Sequence, residues 1–81
     1  MDESHGQIVE VIRSVAGSRA PRSIARTESL FDAGILDSFS LLELASALER
    51  AFDVTIPGTD LNARTFDTVD TIADCLQRNH R

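Results

Sequence analysis

The sequence predicts an all-α fold: a four-helix bundle of three main helices plus one short helix, with a long loop between helices one and two. Three observations carry that expectation. Apolar residues recur at three- and four-residue spacing in three separate stretches, as they do in helices that bury one face. The apolar content is mostly Leu, Ile, Val and Ala, with four Phe and neither Trp nor Tyr, a mix that favours helices over a sheet. At 81 residues and 42% hydrophobic, the chain has material for one core, and so for one domain spanning residues 1–81.

The first helix is read from Ile8, Val11, Ile12 and Val15, with Gly17 as its stop. From Gly17 to Thr27 no period is sustained and Pro21 interrupts the run, so a long loop is expected to continue through Leu30–Leu36. A loop of that length in so small a domain usually has a job. Leu30, Phe31, Ile35 and Leu36 are apolar enough to pin it to the bundle, and Gly34 supplies a backbone angle that other residues avoid. The second helix runs from Ser38 to Phe52, and at about 100° per residue Leu41, Leu44, Ala45, Leu48 and Phe52 share one sector. Pro57 and Gly58 mark a turn, and Val54 and Ile56 alternate over too short a stretch to make a strand. Asp60–Ala63 is read as the short helix. Thr68 caps the last helix, which buries Val69, Ile72, Ala73 and Leu76 and closes with Arg78, His80 and Arg81 at the negative end of its dipole.

Charge and composition exclude several function classes. Residues 37–74 carry eight acids against Arg50 and Arg64, and the net charge is −5, a balance that repels nucleic acid and anionic lipid and steers toward a basic protein surface. No stretch reaches the length of a membrane span, and the first five residues are acidic where a leader would be basic. A cytoplasmic protein without membrane insertion, acting as a monomer, is therefore expected. The single Cys75 excludes an internal disulfide and is read as a buried core residue whose neighbours Asp70 and Asp74 disfavour the thiolate. Asp60, Asn62 and Asp67 do not make a calcium loop, because Arg64 stands where a ligand belongs and no Gly supports the turn.

The chemistry concentrates at Asp37-Ser38-Phe39. Asp37 caps a helix whose first turn holds Ser38, so the hydroxyl stands beside unpaired N–H groups and the positive end of the helix dipole. Such a position suits a covalently attached phosphate. On the same wheel Phe39, Leu42 and Ser46 fall together on an outward side, flanked by Glu43 and Glu49, forming a second apolar patch fit for docking. No histidine is placed to activate Ser38, since His5 and His80 lie at the two ends, and no phosphate loop or metal-spaced cluster is present. No catalytic residue and no metal ligand is assigned.

The segment Leu30-Phe31-Asp32-Ala33-Gly34-Ile35-Leu36-Asp37-Ser38-Phe39-Ser40-Leu41-Leu42-Glu43-Leu44, continued by Ala47–Pro57 and by Phe66–Ile72 through Leu76, resembles the acyl carrier and peptidyl carrier protein family. The likeness covers most of the chain. It implies that Ser38 takes 4'-phosphopantetheine from a phosphopantetheinyl transferase, that cargo rides as a thioester on the arm's terminal thiol, and that Asp37 belongs to the attachment motif. It further implies a carrier rather than an enzyme, with Phe39, Leu42, Glu43, Ser46 and Glu49 where family members meet their enzymes.

Departures from fatty-acid carriers bear on cargo. Ser40 stands where those usually have an acid, their partner helix is richer in acids than Glu43, Glu49 and Arg50 allow here, and Ser46 stands where a larger apolar residue is common. With Leu36 before Asp37, the wording resembles discrete D-alanyl and other aminoacyl carriers more closely. The expectation is a stand-alone carrier loaded by an adenylating ligase or acyltransferase and unloaded by a downstream acyl-accepting enzyme, with an amino acid or small acid ahead of a fatty chain. The rival is an unmodified acidic helical adaptor that binds a partner through the Phe39/Leu42 patch.

Overall fold

The computed structural model describes residues 3–79, in three α-helices: α1 (Glu3–Ala16), α2 (Ser38–Phe52) and α3 (Val69–Arg78). Two short 3-10 turns accompany them, at Gly17–Arg19 and Gly58–Asp60. The fourth, short helical piece thus lies two residues earlier than expected and is a single 3-10 turn; Asp60 closes it and Ala63 falls in the turn beyond. No strand occurs among the described residues, and none of their helices is long and apolar enough to cross a membrane.

In α1 the innermost residues are Ile8, Ile12 and Ala16, at strict four-residue spacing, while Val11 and Val15 are only half-buried at the margin. The expected stripe is therefore correct in face and rotated slightly in centre. Gly17 follows with φ +60°, a conformation that costs a residue with a Cβ about 1 kcal/mol, and this turns the chain into the Gly17–Arg19 piece. The core side of α2 is Leu41, Leu44, Ala45 and Leu48, with Phe52 half-buried at its end. Asp53, at φ 54° and ψ 52°, terminates α2 in the left-handed region, its N–H donating to the Glu49 carbonyl. At the start of α3, Thr68 and Thr71 exchange reciprocal hydrogen bonds in a capping box, and Val69, Ile72, Cys75 and Leu76 are buried behind it. The basic closure of α3 holds at Arg78; His80 and Arg81 lie outside the described residues.

The long segment between α1 and α2 is built into the core. Ile24, Leu30, Ile35 and Leu36 are all buried. Gly34, at φ +77°, ends a turn in which the Ala33 amide donates to the Ser29 carbonyl at 3.0 Å. Backbone hydrogen bonds join the loop to the entry of α3: Leu30 N–H to the Asp67 carbonyl at 2.6 Å and Asp70 N–H to the Arg26 carbonyl at 3.1 Å. Of the four phenylalanines only Phe66, between α2 and α3, is fully buried. α1 packs against both other helices, and α2 buries the side bearing Leu41, Leu44, Ala45 and Leu48 while Phe39, Leu42, Glu43 and Ser46 stay exposed.

Candidate functional site

Asp37 takes extended backbone angles, φ −139° and ψ −173°, and serves as the N-cap of α2. Its Oδ1 accepts from the Ser40 amide at 2.9 Å and its carbonyl from the Leu41 amide at 2.9 Å. The first satisfies a donor that has no partner inside the helix, and the second is the first backbone bond of the helix itself. Ser38 follows as the first helical residue and is exposed, as the sequence predicted. Its hydroxyl makes no hydrogen bond among the described residues. The amides of Ser38 and Phe39 lie in the same turn, where the helix offers no acceptor.

Two residues outside the predicted set complete the turn. Arg19 donates from Nη1 to Asp37 Oδ2 at 3.1 Å and from Nη2 to Ser40 Oγ at 2.8 Å. Ser40 is 3% exposed, the one buried polar side chain among the described residues. Donation from the Ser40 amide, then from the Ser40 hydroxyl, with Arg19 behind them, holds the Asp37 carboxyl below the usual carboxylate range. Ser40 was detectable: it stands four residues before Leu44, on the core face of α2. Arg19 was not, because it lies in an aperiodic run and reaches the cap across eighteen positions.

Beyond Ser38, Phe39 is 85% exposed and Leu42 56% exposed, the two large apolar side chains left in solvent among the described residues. Glu43 and Ser46 are exposed alongside them. Leu42, Glu43 and Ser46 border a shallow groove whose other wall is Ser14 and Val15 of α1. Glu49 differs from its expected place as a free flanking acid: it is half-buried, and its Oε2 accepts from the Ile56 amide at 2.8 Å, fastening the segment after α2.

Cys75 is buried, as expected, but the acid beside it is neither Asp70 nor Asp74. Its Sγ faces Asp60 Oδ2 at 3.6 Å and Asn79 Nδ2 at 3.6 Å. Burial first, and the Asp60 charge second, push the thiol up. Sequence distance hid this neighbour, which the turn at Gly58–Asp60 brings back to α3.

The structure thus presents an unengaged serine at the first position of a capped helix on a small, all-helical bundle. The family model of the phosphopantetheine attachment site matches residues 6–76, and the chain belongs to that family. It is 34% identical over 71 residues to the D-alanyl carrier protein of Lactococcus lactis subsp. lactis strain IL1403, covering 88% of this chain and 89% of that one. The D-alanyl carrier protein of Streptococcus mutans serotype c is 40% identical over 47 residues, 58% of this chain and 60% of that one. Among solved structures, a chain in the crystal structure of an engineered Bradyrhizobium japonicum glycine:[carrier protein] ligase complexed with a carrier protein from Agrobacterium tumefaciens and AMP superposes with a TM-score of 0.81. The two are 30% identical, with 90% of this chain and 97% of that chain covered. The protein is therefore a carrier and not an enzyme, of the family that bears 4'-phosphopantetheine covalently on a serine.

Proposed function

We propose that Ser38 is the serine that bears the arm, and that the chain carries an aminoacyl or small acyl group as a thioester on it. The observation that supports this is the exposed, unengaged hydroxyl at the first position of α2, immediately after the Asp37 cap. The surroundings fit a phosphodiester: the first-turn amides and the helix dipole favour a negative charge there, and Arg19 offsets the Asp37 carboxylate beside it. In the modification, Ser38 Oγ attacks a phosphorus of the coenzyme A diphosphate. The new Oγ–P bond replaces the P–O bond to adenosine 3',5'-bisphosphate, and the hydroxyl proton passes to a base of the transferase. When bound, the group supplies the thiol on which cargo is carried, a task for which buried Cys75 is unsuited.

Phe39, Leu42, Glu43 and Ser46 make the face that partner enzymes meet, the apolar pair giving contact and the acid giving steering. Glu49 contributes to that face less directly, through its hold on Ile56. The partners are a phosphopantetheinyl transferase, an adenylating ligase and an acyl-accepting enzyme. An amino acid as cargo is favoured by the relatives named D-alanyl carrier proteins and by the glycine:[carrier protein] ligase of the complex that contains the matching chain.

Incubation with coenzyme A, magnesium and a broad-specificity transferase is expected to add one phosphopantetheine by intact mass, and Ser38→Ala to add none. A wild-type chain that stays unmodified would return the Phe39/Leu42 adaptor as the better reading. Mass spectrometry of the thioester isolated from the native host reads the cargo.

A further inference from the structure

We propose that Arg19 is a positioning residue for the modification of Ser38, acting through Asp37 and Ser40. The inference rests on Ser38 being the modified serine. Its basis is a closed set of three side chains around the attachment turn. One arm of the Arg19 guanidinium holds Asp37 Oδ2 at 3.1 Å, the other holds Ser40 Oγ at 2.8 Å, and Asp37 Oδ1 is held by the Ser40 amide at 2.9 Å. Both oxygens of the cap and the hydroxyl two residues beyond Ser38 are therefore engaged. The flanks of Ser38 are fixed while its own hydroxyl is left free to react.

The arginine is suited to this by shape. A planar fork donates to two acceptors at once, where a lysine ammonium on its flexible stem has no such preset geometry. Ser40 raises the stakes because it is buried at 3% exposure, and a desolvated hydroxyl that loses its partner favours rearrangement of the turn that carries it. Arg19 is delivered to this point by the left-handed Gly17 and the 3-10 turn that follows. Arg13 anchors the next stretch, donating from Nη1 to the Pro21 carbonyl at 2.7 Å and also to the Arg22 carbonyl. The reacting oxygen of Ser38 must align with phosphorus and leaving group, and small misplacements at such a step cost rate steeply.

The test measures transferase kinetics on Arg19→Ala, Arg19→Lys, Ser40→Ala and the double variant Arg19→Ala/Ser40→Ala. Arg22→Ala, an equal loss of charge in the same loop, is the control, and circular dichroism confirms helicity. Arg19→Ala is expected to lower kcat on the order of tenfold with the KM for the carrier within about twofold, while Arg22→Ala matches wild type. Arg19→Lys is expected to recover only part of the loss. Amide hydrogen exchange, which needs no transferase, is expected to quicken in Arg19→Ala at the Ser40 amide, which donates to Asp37 Oδ1, and the double variant to lose less than the product of the two single losses. A wild-type kcat in Arg19→Ala or Arg19→Lys, a loss confined to KM, or strictly multiplicative effects of Arg19→Ala and Ser40→Ala would each overturn the role. If Arg19→Ala does not fold, the Arg19→Lys kinetics and exchange decide. Failure of the wild type to gain mass would instead sink the assignment of Ser38.

Discussion

Leu30 and Asp67 are joined across thirty-seven positions by a 2.6 Å hydrogen bond from the amide of one to the carbonyl of the other, and Ser29 reaches the Asp67 carboxylate at 2.6 Å. The long connection is thereby stitched to the residue that precedes the α3 cap. Its apolar side chains are core residues in the same sense as those of the helices, since Leu30, Leu44 and Leu48 are all fully excluded from solvent.

Leu30→Ala is therefore expected to destabilise the domain as much as Leu48→Ala, about 2–5 kcal/mol in each case. Urea unfolding monitored by circular dichroism compares the two. Losses of that size are a large part of the stability of a domain this small. A Leu30 variant as stable as wild type would show that the loop is merely draped over the bundle.

Glu43 and Glu49 separate into different kinds of acid. Glu43→Lys is expected to slow loading by a partner ligase several-fold at low salt and to flatten its salt dependence, with the melting curve unchanged. Glu49→Ala removes the acceptor for the Ile56 amide and is expected to cost about 1 kcal/mol in unfolding free energy. Stopped-flow loading and denaturant titration on the same two proteins distinguish recognition from structure.

Asp37 has a folded-state pKa below its unfolded value, so its contribution to stability is complete above the unfolded carboxylate value and fades as pH falls through the folded one. Comparing wild type with Asp37→Asn by urea unfolding, the stability gap is expected to be constant from pH 7 to about 5 and to close below about pH 4. A gap that widened toward acid would contradict the sign.

Cys75 combines burial with a raised thiol pKa. Iodoacetamide at pH 7.5 is expected to label the unmodified chain only on addition of denaturant, whereas the modified chain is labelled on its arm in native buffer. Peptide mass mapping locates the label. Fast native labelling of Cys75 would place the end of α3 in a more open state.

The helices were legible in the sequence because each keeps a face: Leu41, Leu44, Ala45 and Leu48 needed only periodicity, and Asp37 and Thr68 only cap chemistry. Ser38 was legible for the same local reason. What escaped was carried by tertiary contacts with no period. Arg19 reaches Asp37 from outside any pattern, Asp60 rather than Asp70 or Asp74 faces Cys75, and Glu49 turns to the Ile56 amide. Helical periodicity says which side of a helix is outward; it is silent about what a long polar side chain finds when it bends back.

The outward side of α2 has a further consequence for divergence among carriers of this kind. Phe39 and Leu42 take little part in the core, and the buried stripe of the same helix does not depend on them. Substitutions there are close to free of folding cost, so on the proposed reading the docking face can be rewritten while the scaffold beneath stays as it was.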